Sequence, residues 1–153
     1  MVVVTVVASV EAGRGGRAAP LSRGLYTAGL VLSALVGVLH FFAPYAFAWY
    51  AYIPDAPREI TVSIDYINFL FSVMLTGLSV ILLCLRRRAF EGSTEVLAFY
   101  VFLVFVWLCR VLVSLVVPWP TPLQTWLLTG VVTIFVLLLL PCIPLARRTA
   151  AGP

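Results

Sequence analysis

LAFYVFLVFVWLCRVLVSLVV, residues 97–117, carries one charged group, Arg110, in a run long enough to cross a bilayer as a helix. No other basic residue of the chain falls inside such a run. A charge at that depth costs roughly 2.5–3.5 kcal/mol on insertion scales. The cost is met only if the guanidinium reaches the interface or finds a partner. Working outward, the run reads as a span over about 95–117, with three more at about 24–47, 65–85 and 123–145. Each reaches the ~20 residues that hydrocarbon requires of a helix. Together they use most of a 153-residue chain that is 63% hydrophobic and has a mean hydropathy of +1.11. The expected fold is all-α, an integral membrane four-helix bundle over residues 23–148. A disordered cytoplasmic tail is expected at 1–22 and a short tail at 149–153.

The net charge of +4 comes from ten basic residues, all arginine, against six acids. The arginines do not cluster as a soluble nucleic-acid footprint would. They mark topology instead. Arg14, Arg17 and Arg23 precede the first span, Arg86, Arg87 and Arg88 follow the second, and Arg147 and Arg148 follow the fourth. Arg58 is balanced by Asp55 and Glu59, and the PWPTPLQ connection after the third span is uncharged. Positive residues favour the cytoplasmic side, so both termini are expected there. The apolar MVVVTVV segment precedes Arg14 and Arg17, the reverse of a secretory signal.

Two helical stripes stand out. In the first span Gly29, Ser33 and Gly37 recur every fourth residue, with His40 three later. Small residues at that spacing let backbones approach in lipid. In the second span Asp65, Asn68, Ser72, Thr76 and Ser79 fall on one face and should look toward other helices. Thr125, Thr129 and Thr133 line the fourth span. Pro44 is expected to kink or end the first helix, and Phe41 to Tyr52 supply an aromatic interfacial belt. The short connection at 118–122 makes spans three and four an antiparallel hairpin.

Helical rise places Arg110 roughly 10 Å below the outer boundary. His40, Asp65, Asn68, Gln124 and Trp107 fall in the same half. An ion pair between Asp65 and Arg110 is the expectation, because the paired state lowers the insertion cost. His40, Asn68, Gln124 and Trp107 would complete a small polar pocket for a ligand. The plainer alternatives are that Asp65 complements a helix N-terminus and that Arg110 snorkels to headgroups. No catalytic set, nucleotide motif or metal site is expected. One histidine is too few for bis-histidine haem ligation, and Cys84, Cys109 and Cys142 form no close pair.

Gly37, His40, Phe41, Pro44, Phe47, Ile53, Pro54 and Pro57 form the pattern G-x-x-H-F-x-x-P-x-x-F-x-x-x-x-x-I-P-x-x-P. Over residues 30–85 the chain resembles DoxX-like small membrane proteins of bacteria. The resemblance implies about four helices, and for some members an accessory role in quinone-linked redox complexes. Arg110 has no counterpart in that pattern. Three functions follow as expectations. The first is an accessory or scaffold subunit of a membrane complex or homo-oligomer. The second is a binder of a lipid, a quinone or another amphipathic small molecule, with membrane lipids as neighbours. The third is a quinone-linked redox component. No bound cofactor is expected beyond such a quinone or lipid, and nucleic acid is not an expected partner.

Overall fold

The computed structural model describes residues 2–118 and 122–150, with side chains from residue 20 onward. The described residues are helical or in turns, with no strand. They form α1 (Val2–Ala46), a 3₁₀ turn (Trp49–Tyr52), α2 (Arg58–Cys84), α3 (Arg86–Phe90), α4 (Thr94–Val116), α5 (Gln124–Leu139) and α6 (Cys142–Ala150). Four segments are long and apolar enough to cross a membrane: Pro20–Ala46, Arg58–Cys84, Thr94–Val116 and Gln124–Ala150. The tail expected at residues 1–22 falls almost entirely on positions whose side chains lie outside the described residues. Residues 151–153 lie outside them altogether.

α1 is the central element. It packs along α2 and against α5, while α4 packs on α5 and meets α2 only sparsely. The small-residue stripe explains that position. A Cβ on Gly37 would meet Thr76 Oγ1 and stand 2.8 Å from Thr76 N, and one on Gly29 would stand 2.8 Å from Leu138 Cδ2. Gly37 therefore faces α2 and Gly29 faces α5. Between them Ser33 is fully buried. Trp107 Nε1 donates to Ser33 Oγ at 3.0 Å, and Ser79 Oγ lies 2.8 Å from the same atom. One hydroxyl thus joins α1, α2 and α4. Ser33→Ala is expected to destabilise the bundle by about 1–3 kcal/mol, because the buried Trp107 N–H loses its acceptor. Ser79→Ala should cost less, since Ser79 sends a bond of 2.8 Å to Leu75 O within its own helix. Equal melting temperatures for the wild type and Ser33→Ala would count against the network.

The core is concentrated toward one end, where the arginines following α2 and α5 lie. Tyr26, Leu30, Leu82, Phe90, Tyr100, Leu138 and Leu145 are buried there. Tyr26 and Tyr100 stack with ring centroids 4.7 Å apart. Their hydroxyls donate to carbonyls in the last turns of two helices, Tyr26 to Leu82 O at 2.9 Å and Tyr100 to Leu138 O at 2.6 Å. Those carbonyls lack intrahelical partners by position, so the tyrosines satisfy them in the core. This end of the bundle therefore holds two buried phenols, which no stripe of the sequence marks.

Helix limits differ from the apolar runs in informative places. α2 begins at Arg58, seven residues before the expected span, because Pro57 can precede a helix and Arg58 and Glu59 tolerate its first turn. Asp65 is therefore two turns inside α2, and Glu59 is the first-turn acid. Pro44 lies within α1, which ends two residues later at Ala46. The chain then reverses through Ala48, at φ 46°. The fourth span is interrupted at Leu140 and Pro141, where proline cannot donate.

Candidate functional site

Away from the arginine end, α1, α2, α4 and α5 line a half-open cavity of about 390 Å³. α1 contributes Val36 and His40, and α2 contributes Phe71 and Leu75. α4 turns Val106, Trp107, Cys109, Arg110 and Val113 toward it, and α5 adds Trp126, Leu127, Gly130, Val131 and Ile134. The walls are apolar almost throughout. Arg110 and His40 are the polar groups with unused donors or acceptors. Trp107 Nε1 is occupied by Ser33, so its ring serves as wall.

His40 is oriented by its own helix. Its Nδ1 lies 2.8 Å from Val36 O, so that nitrogen carries the donating proton and Nε2 is left for other partners. The ring is edge-packed on Phe71 at 5.1 Å. Asn68 Nδ2 donates to His40 O at 2.7 Å, and Ser72 Oγ donates to Asn68 O at 2.6 Å. The polar stripe of α2 thus fixes the turn of α1 that presents the imidazole.

Arg110 is exposed, and its guanidinium has no hydrogen bond or ion pair among the described residues. Only its backbone carbonyl is engaged, by Ser114 Oγ at 2.8 Å. It lies about 9 Å along the helix from the end of α4 at Val116. The expected Asp65–Arg110 pair does not form. The one ion pair among the described residues joins Arg87 and Glu91. Asp65 is exposed and accepts a hydrogen bond from the Tyr50 hydroxyl. The reason lies in packing. α2 lies against α1, so its start faces the 3₁₀ turn that follows α1, while Arg110 faces the space between α4 and α5.

Of the six residues expected at the site, His40, Trp107 and Arg110 line the cavity and Asp65, Asn68 and Gln124 do not. Asn68 positions His40, and Gln124 Nε2 donates to Ser114 O at 2.9 Å, tying the start of α5 to α4. The sequence reading missed Gly130. A Cβ there would meet nothing within 4 Å, so this glycine leaves open space in the wall. A glycine in mid-span, off every small-residue stripe, was the available signal. Among the described residues no group of three or more His, Cys, Asp or Glu side chains is placed to hold a metal.

The Tyr50–Asp65 contact has a titration consequence. The Asp65 carboxylate accepts the phenol proton and so disfavours tyrosinate, pushing the Tyr50 hydroxyl from 10.0 up to about 12. A raised folded-state value means that the contact contributes fully below pH 10 and is lost as pH rises through about 12. Asp65→Asn should bring the Tyr50 transition back toward that of a free tyrosine, measured by ultraviolet titration against Tyr50→Phe. An unmoved transition would show that the hydrogen bond is absent.

Comparison with protein-family models, with curated proteins and with solved structures finds no match for this chain.

Proposed function

We propose that this chain is a multi-pass membrane protein that binds an amphipathic small molecule, a lipid or a quinone, in the cavity between α1, α2, α4 and α5. The polar head of the ligand faces Arg110 and His40, and its apolar body lies against Phe71, Val106, Leu127 and Ile134. The observation that carries this reading is an arginine inside a span, without a partner among the described residues, on the wall of an otherwise apolar cavity. Intramembrane cations are expensive, and a ligand with acceptor oxygens offsets the cost where the protein supplies no carboxylate. A volume of about 390 Å³ falls in the range that ligand sites occupy. The guanidinium suits a carboxylate, a phosphate or a quinone carbonyl as a donor, and His40 Nε2, with Nδ1 donating to Val36 O, offers an acceptor for a ligand hydroxyl.

Photo-crosslinking tests the site. A diazirine-labelled fatty acid added to the purified chain should leave adducts on residues 106–113 and 127–134. Adducts spread evenly over lipid-facing positions would reject a defined pocket.

The accessory-subunit reading has one observation in its favour. A second apolar hollow of about 350 Å³ separates α2 from α4, lined by Phe71, Met74, Leu75, Leu78, Phe99, Phe102, Leu103 and Val106. A helix of a partner subunit or of a second copy would fill it. A lone monomer after purification in mild detergent would argue against that reading. The redox-component reading draws no separate support from these residues. In the proposed topology both termini are cytoplasmic, the membrane is a bacterial inner membrane, and the affinity is with DoxX-like proteins. The motif around His40 and the arginine bias support these assignments.

A further inference from the structure

Five of the six described arginines at the far end of the bundle divide into two kinds. Arg87 pairs with Glu91 at 2.7 Å, and Arg88 lies within electrostatic reach of Glu95. Arg23, Arg86 and Arg148 have no carboxylate partner among the described residues. Neutral groups hold them instead. Arg148 Nη1 donates to Phe90 O at 3.0 Å, and Arg86 Nη1 donates to Thr27 Oγ1 at 3.3 Å. The guanidinium carbons of Arg23 and Arg148 stand 5.4 Å and 5.6 Å from the centre of one ring, Phe90. That ring is buried and edge-packed on Tyr26 at 5.4 Å, one residue from Thr27. Thr27 Oγ1 also donates to Arg23 O at 2.8 Å.

Three cations from α1, α3 and α6 thus gather around Phe90 and the neighbouring Tyr26–Thr27 turn with most of their donors unspent. A guanidinium offers five N–H groups, and each of these uses at most one on the protein. Clustered like charges repel unless an anion with several acceptor oxygens lies among them. We propose that Arg23, Arg86 and Arg148 bind the phosphate of an acidic membrane phospholipid. The cluster stands where the span Pro20–Ala46 begins and the span Arg58–Cys84 ends, the level at which headgroups lie. Leu21, Ile81 and Ile143 beside it are 64%, 55% and 60% exposed, and they offer apolar surface to the acyl chains. This site is separate from the cavity at Arg110 and does not depend on it.

The test is native mass spectrometry of the purified chain titrated with phosphatidylglycerol or with phosphatidylcholine. The wild type should retain phosphatidylglycerol preferentially. Arg86→Gln should lower that retention about tenfold, the loss of one charge-assisted contact. Arg87→Gln, which removes the same charge from a guanidinium already paired, should leave it unchanged. Arg86 is exposed and makes a single side-chain hydrogen bond, so its replacement should leave the fold intact, and an unchanged helical spectrum verifies this. Arg86→Lys, which keeps the charge, should restore part of the retention. Equal losses in Arg86→Gln and Arg87→Gln, or no preference for the acidic lipid in the wild type, would overturn the site. Displacement of bound phosphatidylglycerol by equimolar inorganic phosphate would overturn the lipid assignment in favour of a soluble phosphate.

Discussion

Gly37→Leu is expected to prevent α1 and α2 from packing and to leave the chain without a cooperative melting transition in detergent. Even the single methyl of Gly37→Ala would approach Thr76 N to 2.8 Å and Thr76 Cα to 3.2 Å, as well as Thr76 Oγ1. Two of these three atoms are backbone, so no rotamer change relieves the clash and one helix must move. Overpacking of this kind costs about 1–3 kcal/mol for the alanine variant, and more for leucine. The displacement would also break Asn68 Nδ2 to His40 O, because that bond spans the same pair of helices one turn away. Gly77→Ala is the matched control. Nothing lies within 4 Å of a Cβ there, so the variant should gain up to about 1 kcal/mol from helix propensity. The measurement is the detergent melting temperature of the two alanine variants. Equal values would remove close helix approach as the role of the stripe.

Arg110→Leu is expected to do two opposite things. Removing an unpaired cation from a span relieves an insertion cost of roughly 2.5–3.5 kcal/mol, so expression and melting temperature should hold or rise. Ligand retention should fall by about ten- to a hundredfold, because a charge-assisted hydrogen bond contributes ~1.5–3 kcal/mol. Had Asp65 been its partner, the same change would have stranded an acid and lowered stability. Asp65→Asn, by contrast, should leave retention untouched, since its partner is Tyr50. A fall in stability with unchanged retention for Arg110→Leu would reverse both parts. Native mass spectrometry and melting curves on the same preparation read the two effects together.

The four spans and the packing faces were legible because lipid imposes strong periodic rules. Small residues every fourth position placed Gly29 and Gly37 against α5 and α2, and the stripe from Asn68 to Ser79 does face α1 through Asn68, Thr76 and Ser79. His40, Trp107 and Arg110 could be found because each is unusual at its depth. The partner of Arg110 could not be read. Depth along a helix is set by rise, but direction around the bundle depends on which helices are neighbours, and Asp65 proved to face the turn after α1. Tyr26 and Tyr100 are buried because two helix ends present carbonyls to them, a pairing that no spacing within one helix signals. The cavity wall was invisible for a simpler reason. Val106, Leu127 and Ile134 are ordinary lipid-span residues, and only the gap between four helices makes them a surface.

The cavity is tested most directly by filling it without touching a charge. Gly130→Leu adds a side chain where a Cβ meets open space and should raise helix propensity by about 0.8–1 kcal/mol. Native mass spectrometry should then show a stable, fully helical chain that has lost its amphiphile by about tenfold or more relative to wild type, with Arg110 and His40 still in place. Retention equal to wild type in that variant would contradict the account, since an occupied cavity cannot hold both the leucine and the ligand.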